Sequence, residues 1–329
     1  MTRDGRWGHR ALSLAALVAA VAVAMVVLNP SRPEPDAEPG PTPTRLSAAE
    51  EYARAALELM PQALFVDEST WPAVVRRTMA AVRTARTPAD TYPALYLALA
   101  QAAGPLGEIV PPEDVLLTQA AEPVSVAVAD GVGRITVPPI GEVGATAASA
   151  RATAVADRIM ATRKKVTCGW LVDLRETYTS EDWGAIAGLE PLIRPGWAFG
   201  LRDRQQREYR ISVALGSVFA DGRPLATSGR SVPRNEQPVA VLQSARTGGA
   251  GEALVLALRR GDRVRTFGTT TSGQPVLQRF PLSDGARLVL PTHRLVDVAG
   301  HAYPRGIAPT ERTDDPERSA LKWLHDRCR

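Results

Sequence analysis

Two short segments, residues 166–174 and 239–243, constrain this chain more than anything else in it. Both are apolar throughout most of their length and too short for helices, so they read as strands buried on both faces. Helix-period stretches lie beside each: residues 145–165 before the first and 251–259 after the second. Further strand patterns follow at 264–267, 279–282 and 287–291, and residues 124–128 and 133–137 read as a hairpin turning at Asp130-Gly131. Strand–helix–strand repetition of this kind specifies an α/β core with a largely parallel sheet. That core is expected over residues 121–329.

Ahead of it the grammar is helical. Ser47 with Glu50 three residues on is a capping-box signal, and Ala49, Tyr52, Ala53, Ala56, Leu57 and Met60 recur at helical spacing behind it. Residues 70–86 and 88–103 read as two more amphipathic helices. A helical domain over residues 46–120 is expected, dividing from the core near residues 112–124.

The first 45 residues have a different character. A basic tail, residues 1–10 with Arg3, Arg6 and Arg10, precedes an apolar run at 11–28 broken only by Ser13. Eighteen helical residues span ~27 Å, enough to cross a bilayer's hydrocarbon core, and the basic flank keeps the amino terminus cytoplasmic. The run is read as a retained signal anchor. The rival is a cleaved signal peptide with Ala22-Val23-Ala24 at the cleavage site. Residues 29–45 carry six prolines and form an extended tether. A single-pass membrane protein with the bulk of the chain extracytoplasmic is expected.

Composition excludes several classes. Lys and Arg total 39 against 35 acids, but only three are Lys and the arginines are scattered among the acids, with 17 aromatics in all. No nucleic-acid partner is expected. Four His and two Cys, far apart, make no zinc cluster, and no metal or cofactor is expected. Cys168 and Cys328 are permitted a disulfide by export, but two lone cysteines do not establish one.

Several stretches resemble one family. Cys168-Gly-Trp-Leu-Val-Asp-Leu-Arg175, Pro238-Val-Ala-Val-Leu242, Arg246-Thr247 with Gly251-Glu252, and Phe280-Pro-Leu-Ser-Asp-Gly285 are similar to the tail-specific (C-terminal-processing) serine peptidases. The likeness is to the branch related to the tricorn core and interphotoreceptor retinoid-binding protein. The resemblance implies a helical N-terminal domain on a crotonase/ClpP-like α/β core, without the family's usual PDZ insert. It also implies serine acyl transfer, which needs a nucleophile, a base and N–H donors for the oxyanion.

Those parts do not carry over. The nucleophile element reads Thr247-Gly248-Gly249-Ala250-Gly251-Glu252, with Gly249 where the family has its serine. Thr269 replaces the acid of the loop after the next strand, and Leu106 stands where one branch has a histidine. The oxyanion loop, which in the family has Asn and paired Gly, is Glu176-Thr177-Tyr178-Thr179-Ser180. Ser244, Thr247, Ser272 and Ser283 are taken as the hydroxyls nearest the site, each more simply a turn or cap residue. Asp173 and Arg175 are read as a structural ion pair, and Glu252 as a favourable charge at a helix N-terminus.

The expected function is a member of this family without its catalytic residues, binding a peptide, an exposed C-terminus or a partner protein. Thr247, Gly248 and Glu252 are the groove positions expected to line it. The alternative is an active serine-type peptidase with rearranged catalytic residues.

Overall fold

The computed structural model describes residues 46–117, 123–139, 144–179 and 183–328. The expected basic tail, anchor and tether (residues 1–45) lie outside the described residues. Among those described, no helix is long and apolar enough to cross a membrane.

The elements in chain order begin with helices α1 (Ala48–Leu59), α2 (Trp71–Ala81) and α3 (Pro88–Ala103). Strand β1 (Glu108–Val110), helix α4 (Pro112–Leu117), strands β2 (Ser125–Ala129) and β3 (Val132–Thr136), and helix α5 (Ala145–Thr162) follow. Next come β4 (Gly169–Asp173), β5 (Tyr178–Thr179), α6 (Trp183–Gly188), β6 (Gly196–Arg202), β7 (Glu208–Ala214), β8 (Ser217–Ala220) and β9 (Arg223–Thr227). The chain closes with β10 (Val239–Gln243), β11 (Gly248–Gly249), α7 (Ala250–Leu258), β12 (Val264–Gly268), β13 (Val276–Pro281), β14 (Arg287–Val296), β15 (Glu311–Arg312) and α8 (Pro316–His325).

The α/β expectation holds, with a correction to the sheet. One six-stranded sheet, ordered β15-β12-β10-β4-β3-β2, is parallel except for the β2–β3 hairpin. Asp130 and Gly131 turn that hairpin with φ of 50° and 74°, as a tight two-residue turn requires. A second, seven-stranded sheet is antiparallel throughout and contains β13 and β14, which the sequence pattern had left in the parallel core.

Buried strands β4 and β10 show why their sequences lack alternation. Trp170, Val172, Val239 and Val241 face the main core shared with α5, α6 and α7. Leu171, Ala240 and Leu242 face the other way, onto Phe267 and onto Ala320 and Leu324 of α8. Successive side chains point to opposite faces, so a sheet covered on both sides needs apolar residues at every position. The cover on the second face, α8, was not foreseen, although Asp315 before Pro316 is a helix-start signal; its carboxylate accepts the Arg318 N–H. Cys168 and Cys328 form a disulfide that ties the end of α8 to the start of β4, which corrects the preference for unpaired cysteines.

Two of the three N-terminal helices, α1 and α3, start on side-chain caps, while Thr70 before α2 makes no such bond. Ser47–Glu50 and Thr87–Asp90 both form reciprocal capping boxes. Their apolar faces make a second cluster, Tyr52, Leu57, Met60, Leu95 and Leu99, completed by Leu282, Leu288 and Leu290 from β13–β14 and their connection. This cluster is distinct from the one holding Val172, while residues Leu46–Arg329 together form a single compact unit.

Candidate functional site

The site is built on the ends of two parallel neighbours, β4 and β10. After β10 the chain turns through Ser244–Thr247, and side chains fasten that turn to the end of β4. The Ser244 hydroxyl donates to the Arg175 carbonyl at 2.6 Å. The Thr247 hydroxyl donates to the Leu174 carbonyl at 2.7 Å and accepts the Ser244 N–H at 2.9 Å. Thr247 is fully buried by these contacts, so it lines no groove.

Gly248 and Gly249 then pair in parallel with Tyr178 and Thr179 as the small β5–β11 ladder. Gly249 has φ 55° and ψ −115° and is immediately followed by the first turn of α7. This is the sharp strand-to-helix elbow on which hydrolases mount a nucleophile. Any residue with a Cβ is strained there, and glycine is not. The neighbouring glycines answer to crowding instead. A Cβ on Gly248 would meet the Ser272 hydroxyl at 2.6 Å and the Tyr178 ring at 2.7 Å, and one on Gly251 would meet the Thr177 carbonyl at 2.3 Å. The Tyr178 ring therefore lies against the approach to the elbow, where its hydroxyl donates to the Gln274 side-chain carbonyl.

Helix α7 is buried along all nine residues, which explains why its sequence is apolar on every side apart from Glu252. Glu252 is 2% exposed, so it too is no groove residue. Its Oε1 accepts from the Thr271 hydroxyl and from the Gly273 N–H at 2.9 Å. Burial pushes its carboxyl up to about 7; the hydrogen bonds from Thr271, Gly273 and Gly249 act in the opposite direction. Its role is to pin the 271–273 loop against α7. A cavity of ≈ 10 Å³ beside it holds about one water.

The remaining positions sort themselves by contact. Thr269 follows β12, where its N–H and carbonyl bond to the backbone and side chain of Gln243. The same loop reaches the elbow through the Ser272 N–H, which donates to the Thr247 carbonyl at 2.9 Å. Glu176 is exposed and pairs with Arg246. Thr179 joins the site through its backbone pairing with Gly249; Ser180 lies outside the described residues.

Leu106 sits in the turn between α3 and β1, whose Gly107 N–H bonds back to the Gly104 carbonyl. Ser283 is displaced from the expected site: it lies in the β13–β14 connection beside Asp284, which accepts from Tyr92 of α3 at 2.5 Å. Asp173 and Arg175 form the expected ion pair, at 2.6 Å, extended by Glu317 of α8 and Arg134 of β3.

Among the described residues, the elbow segment 247–252 holds no histidine or lysine, and its one titratable side chain is Glu252. His293 is held in β14 by Thr292 and packs edge-on to Tyr209; His301 pairs with Asp297; His325 ends α8. Among the described residues, none of them and no Lys hydrogen-bonds to the 247–252 segment. Among the described residues of the 247–252 segment, the one hydroxyl, that of Thr247, is buried and bonded to the Leu174 carbonyl.

Comparison with known proteins places these features. Residues 131–313 match Peptidase family S41. The chain is 25% identical to the nisin-resistance protein of Lactococcus lactis subsp. lactis over 282 residues, covering 84% of this chain and 86% of that one. In fold it is similar to a lipoprotein from Streptococcus agalactiae, with a TM-score of 0.73, 22% identity and coverage of 86% of this chain and 98% of that one. It is also similar to the photosystem II D1 C-terminal processing protease, with a TM-score of 0.53, 14% identity and coverage of 83% and 94%.

Proposed function

The chain belongs to peptidase family S41, and we propose that it is a member that binds peptides without cleaving them. One observation carries this reading: the elbow residue Gly249 adopts the nucleophile's backbone conformation with no side chain to attack. Gly248, Ala250 and Gly251 beside it have no hydroxyl either, and the Thr247 hydroxyl is fully buried and committed to Leu174. The alternative, a working peptidase with rearranged residues, would need a nucleophile from outside this segment and a base that the nearby histidines do not supply.

The proposed ligand is an extended peptide presented at the Gly249–Ala250 turn, where the first N–H groups of α7 favour a terminal carboxylate. The nisin-resistance relative makes an antimicrobial peptide of that kind the first class to test. The proposed location is outside the cytoplasm, held by the apolar run at 11–28, in keeping with a relative described as a lipoprotein.

The test is a paired measurement on the purified protein. Nisin and a set of linear peptides, each with a free or an amidated C-terminus, are followed by mass spectrometry for cleavage and by fluorescence anisotropy for binding. Binding that prefers the free carboxylate, with every peptide recovered intact, is expected. Cleavage by the unaltered protein would sink the proposal. Gly249→Ser should also leave the peptides intact, because catalytic groups that act as a unit are not restored one at a time.

A further inference from the structure

The helical region carries a surface that the peptidase relationship does not explain. Residues 69–89, which include α2, contain Arg76, Arg77, Arg83 and Arg86 and no acid. All four arginines are exposed. Arg86 lies beside Asp90, but Arg76, Arg77 and Arg83 take part in no ion pair among the described residues. Elsewhere among the described residues some exposed arginines are paired, as in Arg230–Asp157 and Arg246–Glu176, and others such as Arg54 and Arg223 are not; α2 differs in having no acid near its arginines in sequence.

Helix α3, which packs against α2, is unusual in the opposite sense. Asp90 is its one charged residue, and its outward positions include Pro93, Tyr96, Leu97 and Ala100. Leu97 is 74% exposed and Tyr96 43%. A helix apolar on every side belongs in a core or against something equally apolar. Here only the side bearing Leu95, Ala98, Leu99, Ala102 and Ala103 is covered. Gln101 is exposed on the same helix, and the Tyr96 hydroxyl donates to the Ile109 carbonyl, with Glu108 and Asp114 on that flank. Leu97 with the arginines of α2 has the composition of a surface that rests on lipid headgroups.

We propose that the α2–α3 face docks on an anionic bilayer surface, with Arg76, Arg77 and Arg83 meeting headgroup phosphates and Leu97 entering the interface. Two observations favour lipid over other occupants. The arginines supply charge complementarity to a negative surface. The chain preceding α1 consists of a 17-residue proline-rich stretch behind an 18-residue apolar run, which reaches ~50 Å at most, so an anchored protein meets that surface continually. The inference uses the proposed anchoring for proximity alone; the affinity it assigns belongs to the folded unit.

The experiment therefore uses the compact unit, Leu46–Arg329, without the apolar run. It is sedimented with vesicles of phosphatidylcholine alone and with an equimolar mixture of phosphatidylcholine and phosphatidylglycerol. Binding to the anionic vesicles only, falling steeply with added salt, is expected. At roughly fivefold per arginine, Arg76→Gln, Arg77→Gln and Arg83→Gln together should weaken partitioning on the order of a hundredfold. Leu97→Ser should weaken what remains after salt screening.

Equal binding to both vesicle types, no binding to either, or a triple variant that binds like the parent would overturn the proposal. So would tighter capture by soluble polyglutamate than by anionic vesicles, which would point to an acidic protein partner. The salt titration on the unaltered unit decides independently of whether the triple variant folds. Fractionation of the full chain tests the anchoring, and its failure would leave the vesicle result intact.

Discussion

Replacing Glu252 with Gln separates a structural carboxyl from a catalytic one. The side chain keeps its shape, and an amide oxygen can still accept from Thr271 and the Gly273 N–H. The charge is lost, and an NH2 that needs acceptors of its own takes the place of the second oxygen. Burial raises the native carboxyl from 4.5 to about 7, so between those values the folded state holds a proton that the unfolded chain has released. The stabilisation is therefore fully present below the unfolded value and is lost as pH rises through the folded one. At 1.36 kcal/mol per unit, the carboxyl costs the native state about 3 kcal/mol once pH exceeds about 7. The residue is nearly inaccessible, so solvent screening does not reduce this figure much.

Urea unfolding of parent and variant at several values between about pH 5 and about pH 8 reads the difference directly, because other titrating groups cancel. The stability of Glu252→Gln relative to the parent should rise by about 2–3 kcal/mol from the acid to the alkaline end. A difference that stays flat with pH, or a parent that gains on the variant as pH rises, would refute the assignment of Glu252 as a buried tie without a stabilising counter-charge.

Two further perturbations test the architecture. Cys328→Ser opens a loop of 160 residues, for which chain entropy sets an upper bound of about 5 kcal/mol; a loss of 2–4 kcal/mol in urea unfolding is expected, and reduction of the parent should reproduce it. Tyr92→Phe removes the hydrogen bond from α3 to Asp284 in the β13–β14 connection and should cost about 2 kcal/mol, with Asp284→Asn costing less because the amide oxygen can still accept. Equal stability of parent and Tyr92→Phe would show that this tie contributes nothing.

What could be read from the sequence follows from the range of the interactions involved. Strand β10, helix α7 and the β2–β3 turn are fixed by local pattern: apolar runs of strand length, a helix with no polar face, and an Asp-Gly pair able to take positive φ. The place of Gly249 at the turn into α7 was legible as well, from the spacing of β10 and α7. The antiparallel strands β6–β9 were overlooked although Glu208–Ala214 does alternate; their burial is partial and their residues mixed, so the signal is weak. Nothing local could place Cys168 against Cys328, or Ser283 beside α3, since each depends on pairing between distant segments. The burial of Thr247 and Glu252 was hidden for the same reason. A Thr and a Glu at a helix start look exposed until Leu174 and Thr271 are seen to close over them.

The central claim is that the elbow holds no nucleophile, and intact-mass spectrometry after treatment with a fluorophosphonate serine probe tests it most directly. The unaltered protein should retain its unmodified mass under conditions in which a serine peptidase is fully labelled. A stoichiometric adduct mapped to any hydroxyl near Gly249, Thr247 and Ser272 included, would contradict the account and establish an active peptidase.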